Sequence, residues 1–84
     1  MNLRPDESIL IGGTHFENGK VYKDLTYQRI EYLISNWLIK IDSKESGWIT
    51  IYKDPHDGRI WKLSYPNSEL HGGGNPTLKL IKNI

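Results

Sequence analysis

The sequence predicts a small two-layer α+β domain, in which a mainly antiparallel β-sheet of about five to six strands packs against one α-helix. Apolar side chains recur at helical spacing most clearly in one segment, about residues 25–38. Segments rich in β-branched and aromatic residues lie on both sides of it and are separated by turn residues. One amphipathic helix buries its apolar stripe most readily against one face of an antiparallel sheet, so these observations indicate this fold class.

Two short strands are predicted before the helix. Residues 9–11 are apolar and precede the glycine pair 12–13, which indicates a strand that ends in a bend. Residues 15–16 extend this strand. Asn18-Gly19 tolerates positive φ at both positions and therefore predicts a two-residue hairpin turn, with residues 21–23 as the return strand.

The helix has a start signal and one apolar stripe. Asp24 is a suitable N-cap, because its carboxylate accepts hydrogen bonds from the first free amides of a helix. The stripe consists of Ile30, Leu33, Ile34 and Trp37, which are spaced by three and four residues. We therefore expect the helix to span about residues 25–38 and to bury this stripe.

Three or four strands are predicted after the helix, and the candidate segments are residues 38–41, 48–52, 59–65 and 77–81. The polar stretch 42–47 predicts a turn. In residues 54–58, Pro55 presets φ for a type I turn and Gly58 can take the left-handed position that closes a bulged hairpin. This turn joins two strands in a predicted hairpin.

Size and composition indicate one soluble domain, residues 1–84, with one modest core. The polar residues 1–8 are predicted to form a loose lead-in. The hydrophobic fraction is 37% and the charged fraction 25%, and no apolar run approaches the ~18 residues of a membrane span. The start lacks a secretory signal pattern, so we expect a cytoplasmic protein without a membrane partner.

Alternation along the predicted hairpin separates two sets of side chains. One set is Trp48, Thr50, Tyr52, Arg59, Trp61, Leu63 and Tyr65, and the other is Ile49, Ile51, Ile60, Lys62 and Ser64. If the isoleucine set faces the helix, the aromatic set forms an outward platform of residue types enriched at protein interfaces. The alternative is that the aromatic set contributes to the core. We expect both tryptophans in the core and Tyr52, Arg59 and Tyr65 exposed.

Composition also excludes several kinds of site. The chain has no cysteine, which excludes disulfides, thiolate nucleophiles and thiolate zinc sites. His15, His56 and His71 lack the close paired spacing of a metal site, so we expect no metal and no cofactor. Eleven basic and ten acidic residues give a net charge of +1, which argues against nucleic acid as a partner. A single-stranded nucleic-acid-binding module that stacks bases on sheet aromatics remains the alternative.

A glycine-rich stretch follows the hairpin. Glu69 and His71 precede Gly72, Gly73 and Gly74. We expect these two residues to stabilise the loop rather than to act as the acid–base pair of a small hydrolase, because the sequence shows no nucleophile with a recognisable partner. The glycines lack the Lys-Ser/Thr pair of a phosphate-binding loop, and a strand follows them. A sharp crossover to the last strand and a recognition loop are both compatible with them.

Two adjacent motifs carry a family resemblance. Residues 57–66 read DGRIWKLSYP, and residues 68–74 read SELHGGG, before Pro76 and Leu78. Further matches are Leu10-Ile11-Gly12, Asp24, Arg29-Ile30-Glu31 with Leu33 and Ile34, Ser46-Gly47-Trp48, Tyr52 and Asp54-Pro55. Over about residues 9–80 the chain resembles the immunity protein 27 family of bacterial polymorphic toxin systems.

The resemblance implies a small, mainly β protein that is encoded beside a toxin gene, protects its own cell by binding the toxin domain and has no enzymatic activity. The family's characteristic positions fall on Trp48, Asp54, Asp57, Arg59, Trp61, Glu69, Gly72, Gly73, Gly74 and Pro76. At the position of Lys62, the resemblance implies an acidic residue more often than a lysine.

We therefore expect a toxin-binding surface without a catalytic residue. The predicted contacts are Tyr52, Asp54, Asp57, Arg59, Tyr65, Glu69 and His71, while Trp48, Trp61, Gly72, Gly73, Gly74 and Pro76 are structural or binding positions. The acidic members would pair with the basic groups that a nuclease-like toxin uses on its substrate. Such a contact would cover the active site or a nearby exosite of the toxin.

Overall fold

A computed structural model describes residues 3–44, 48–65 and 75–83, and it has the predicted α+β class. Its elements are β1 (Ile9–Ile11), β2 (Thr14–Glu17), β3 (Lys20–Lys23), α1 (Leu25–Asn36), β4 (Ile39–Lys44), β5 (Ile49–Lys53), β6 (Ile60–Ser64) and β7 (Thr77–Lys82). The described residues thus hold seven strands, more than the five to six predicted, because residues 14–17 form a strand of their own.

The strands form two antiparallel sheets. The larger sheet has the order β1-β7-β6-β5-β4, and β2 and β3 pair separately as a hairpin. The predicted Asn18-Gly19 turn is confirmed, since the two residues have φ of 51° and 78°. At the bend between β1 and β2, the Gly12 amide donates to the Pro76 carbonyl at 2.8 Å, which joins the start of the sheet to the residue before β7.

Helix α1 begins as predicted. The Tyr27 amide donates to Asp24 Oδ1 at 2.7 Å, which confirms Asp24 as the N-cap. The helix ends at Asn36, two residues earlier than predicted, because the Trp37 and Leu38 amides both donate to the Leu33 carbonyl and close its last turn. No helix in the described ranges has the length and apolar character needed to cross a bilayer.

The core lies between α1 and one face of the larger sheet. Its buried members are Leu3, Leu10, Ile30, Leu33, Leu38, Tyr52, Trp61, Leu63 and Leu78. Leu3 is only 8% exposed, so the chain before β1 is anchored in the core from its first described residue. The expectation of a loose lead-in is therefore wrong for residues 3–8.

Strand β4 is longer than the sequence indicates. Asp42 pairs with Ile51 and Lys44 with Ile49, after a bulge at Ile41. The predicted turn is therefore wrong over residues 42–44, where backbone pairing with β5 outweighs the weak strand preference of these polar side chains. Residues 45–47, the rest of that prediction, lie outside the described residues.

Candidate partner-binding site

The aromatic side chains of the β5–β6 hairpin face the helix. Tyr52 and Trp61 are cross-strand partners, and their exposed fractions are 8% and 0%. The predicted outward platform is therefore wrong, because the largest side chains fill the space between the two layers. The core assignment of Trp61 is confirmed. Trp48, at the start of the hairpin, was expected in the core but is 51% exposed.

The turn between β5 and β6 is organised by a buried carboxylate. Asp54 is 1% exposed, and its Oδ1 accepts hydrogen bonds from the His56 amide at 2.8 Å and from Trp37 Nε1 at 3.1 Å. The Gly58 amide donates to the Asp54 carbonyl, and Gly58 has the predicted left-handed backbone with φ of 79°. Asp54 thus holds the predicted turn from inside.

Arg59 is buried, which contradicts its expected exposure. It is 4% exposed and donates through Nε to Asp57 Oδ2 at 2.6 Å. Its Nη1 and Nη2 donate to the carbonyls of Glu7 at 3.1 Å and Arg4 at 3.3 Å, and its guanidinium lies 5.1 Å from the Trp61 ring centroid. The planar fork of arginine suits this arrangement, in which one side chain joins the turn to the N-terminal segment.

A second ion pair fixes the same N-terminal segment to the helix. Arg29 donates through Nη1 to Glu7 Oε2 at 2.6 Å and through Nη2 to Oε1 at 2.5 Å. These hydrogen bonds lower the pKa of Glu7 to about 2. The pair was not expected from the sequence, because 22 residues separate its members and no local pattern joins them.

Among the described members of the predicted contact set, Asp57 and Tyr65 have accessible surface. Asp57 is exposed, and although partial burial opposes the effect, hydrogen bonds from the Arg59 backbone and guanidinium lower the pKa of Asp57. Tyr65 is half-buried and contacts Trp48 edge to face, with ring centroids 6.4 Å apart. Burial raises the pKa of Tyr65. The predicted exposure of Tyr65 is therefore only partly confirmed.

The remaining predicted site residues lie elsewhere. Glu69, His71, Gly72, Gly73 and Gly74 fall outside the described residues. Pro76 is buried beside Gly12. In the parts of the chain that the structure describes, no three His, Asp or Glu side chains are grouped to hold a metal ion.

The larger sheet has a second surface, on the side away from the helix, which was not expected from the sequence and which we call the open face. Strand register places Asp42, Ile51, Lys62, Lys79 and Ile9 in one row across all five strands, and Lys44, Ile49, Ser64, Thr77 and Ile11 in the next. Ile39, Lys53 and Ile60 lie in a third row. All these residues are half-buried or exposed, because α1 packs on the opposite face.

A signal for the open face was present in the sequence. On β6, Ile60, Lys62 and Ser64 alternate with the core residues, and a lysine is rarely buried without a partner. The set that contains Lys62 was therefore the better candidate for the solvent side.

The motifs that carried the family resemblance are distributed between these structural features. The segment 57–65 supplies the turn, the Arg59 contacts and β6, and Pro76 precedes β7. A family model described as Immunity protein 27 matches residues 16–82 of the 84-residue chain. Comparisons with curated proteins and with solved structures gave no match. Because the family model covers most of the sequence, the chain belongs to the immunity protein 27 family.

Proposed function

We propose that this chain is an immunity protein that binds a cognate bacterial toxin domain in the cytoplasm and neutralises it by covering the active site or a nearby exosite. The observation that carries the proposal is the family match over residues 16–82. The activity is binding alone, without catalysis or a cofactor.

The hydrogen bonds of three polar side chains within the domain support a binding role. Asp54 holds the β5–β6 turn, and Glu7 and Arg59 fix the N-terminal segment. Each of these groups has hydrogen-bond partners within the domain, so they stiffen the scaffold. A stiff scaffold loses little conformational entropy when it binds a partner.

The predicted contact set accordingly divides by burial. Tyr52, Asp54 and Arg59 are buried, so we assign them to support of the scaffold. Asp57 and Tyr65 have accessible surface and remain proposed contacts, as do Glu69 and His71. If the toxin is a nuclease, the acidic members of this set suit the basic groups of its substrate cleft.

The nucleic-acid alternative has less support. It relies on sheet aromatics that stack on bases, and Tyr52 and Trp61 are packed beneath α1. We therefore propose no second function.

The test is co-expression with the toxin encoded in the neighbouring gene. We expect the chain to restore growth of cells that express the toxin, and to form a 1:1 complex with a catalytically inactive toxin domain in isothermal titration calorimetry. A structurally unrelated immunity protein is the control for nonspecific rescue. If the chain neither restores growth nor forms a complex, the proposal is rejected.

A further inference from the structure

We infer that the open face is the docking surface for the toxin, and that it accepts an apolar patch bordered by carboxylates. This inference rests on the proposed function and adds the chemistry of the partner. It also selects an exosite over a phosphate-binding cleft, so the lysines of the open face replace the acidic residues Asp57 and Glu69 as the charged contacts to the toxin.

The apolar part of the open face consists of isoleucine side chains. The open face carries Ile9, Ile11, Ile39, Ile49, Ile51 and Ile60. Ile11 is 62% exposed, Ile39 51% and Ile9 47%, so much of this apolar area is in contact with solvent. A clustered apolar surface of this kind on a small soluble domain marks an interaction site.

The same surface also carries several lysine side chains. Lys44, Lys53, Lys62 and Lys79 lie on the open face beside one acidic residue, Asp42. Within the described chain, none of these four ammonium groups forms a salt bridge. With respect to the described residues, the surface therefore offers positive charge without a salt-bridge partner, whereas the net charge of the chain is only +1.

The centre of the face contains an unfavourable pair. Lys62 on β6 is directly opposite Lys79 on β7. Like charges in directly opposite positions destabilise a sheet, so this pair costs stability in the free protein. A partner carboxylate placed near both ammonium groups would relieve the repulsion, which gives the pair a role in binding.

Charge and residue type also indicate which kind of partner fits the open face. A second copy stacked on this face would bring lysines against lysines, which disfavours a symmetric dimer. A single-stranded nucleic acid would find isoleucines where stacking aromatics are needed, because Tyr52 and Trp61 face the helix. An acidic and apolar protein surface matches both parts of the open face.

This chemistry determines where the toxin is held. An enzyme that acts on nucleic acid binds phosphates with basic groups, and those groups would be repelled by the lysines of the open face. The docking site on such a toxin is therefore an acidic patch outside its substrate cleft. Inhibition then follows from steric blocking of the substrate or from restraint of the toxin's movement.

The deciding variant is Lys62→Glu, with Lys40→Glu as its matched control. Lys40 pairs with Tyr52 and so lies on the helix side of the same sheet, and both substitutions change the net charge equally. We expect K62E to weaken binding of an inactive toxin domain at least about tenfold, with a smaller effect of K40E. K62E should also raise the thermal midpoint of the free protein or leave it unchanged, because the new carboxylate would face Lys79.

A double variant makes the test sharper. K62E/K79E places two carboxylates opposite each other, so its thermal midpoint should fall below that of K62E while toxin affinity falls further. The measurements are calorimetry with the toxin domain at two salt concentrations and differential scanning calorimetry of the free variants.

Each outcome decides the question. Wild-type protein that fails to bind toxin rejects the proposed function itself. Toxin binding that survives in K62E, or is lost equally in K40E, overturns the open face as the docking surface while the proposed function stands. Sedimentation of the wild type as a dimer that K62E dissociates, or its salt-sensitive binding of a single-stranded oligonucleotide through this face, would replace the toxin as occupant.

Discussion

Trp37 Nε1 donates a hydrogen bond to Asp54 Oδ1 at 3.1 Å and thereby links the C-terminal end of α1 to the turn between β5 and β6. Asp54 is almost fully buried, and the same oxygen accepts the His56 amide. The family motif that surrounds Asp54 thus has a clear role in the fold: it fixes one end of the helix on the hairpin that carries the central part of the open face.

The first prediction concerns this link. Asp54→Ala should lower the free energy of unfolding by about 2 kcal/mol, because it leaves two donors without their acceptor, and Asp54→Asn should cost less because it keeps one carbonyl oxygen. Urea unfolding followed by far-UV circular dichroism measures both. Trp37→Phe is the partner substitution, and its effect should be smaller in the D54A background than in the wild type. Fully additive effects would show that the two residues are not coupled.

The second prediction concerns Arg59. Arg59→Ala should lower the free energy of unfolding by about 2–3 kcal/mol, because two carbonyls and a carboxylate lose a buried donor. Arg59→Lys should recover only part of this, since an ammonium cannot reproduce the planar fork. Guanidinium unfolding gives the values, and amide hydrogen exchange should rise specifically in residues 3–8. Unchanged exchange there would contradict the role of Arg59 in anchoring that segment.

The third prediction is a pH dependence from Glu7. The pKa of this carboxyl is lowered from 4.5 to about 2 by its hydrogen bonds with Arg29, so the folded protein holds the ionised form more strongly than the unfolded chain does. The stabilisation, on the order of 2 kcal/mol, is complete above about pH 4.5 and is lost as the pH falls through about 2. Unfolding free energies across this interval should decrease with acidity. In Glu7→Gln the decrease should be smaller, and the same slope in both proteins would exclude Glu7 as its source.

The fourth prediction concerns the start of the helix. A Cβ at Gly13 would lie 2.6 Å from Asp24 Oδ2, so Gly13→Ala must displace the N-cap carboxylate. The expected loss is about 1 kcal/mol, the usual contribution of an acidic cap. In the Asp24→Ala background, Gly13→Ala should cost much less, because the obstructing carboxylate is gone. Equal costs in both backgrounds, measured by thermal unfolding, would assign the effect to backbone freedom instead.

Local chemistry made much of this fold predictable. The Asp24 cap, the Ile30 and Leu33 stripe, the Asn18-Gly19 turn and the Asp54–Gly58 turn each depend on a few adjacent residues, and all were found where expected. The family resemblance also came from local motifs, chiefly residues 57–66 and 68–74.

The wrong predictions concern contacts between residues that are far apart in the sequence, which no local pattern indicates. Both faces of the β5–β6 hairpin are apolar, so alternation alone did not decide which one meets α1. Arg59 looked like a surface residue because its partners at Arg4 and Glu7 lie more than 50 positions away in the chain. The candidate site was misplaced for the same reason. The aromatic face of the hairpin lies in the core, so the face with isoleucines and lysines is the accessible one.

The position of β7 between β1 and β6 has a consequence for folding during synthesis. Ile9–Ile11 leaves the ribosome early but gains its sheet neighbour only after Thr77–Lys82 has been translated. The sheet is therefore completed only after residues 77–82 have been made, so a nascent chain that stalls before residue 77 has no finished open face.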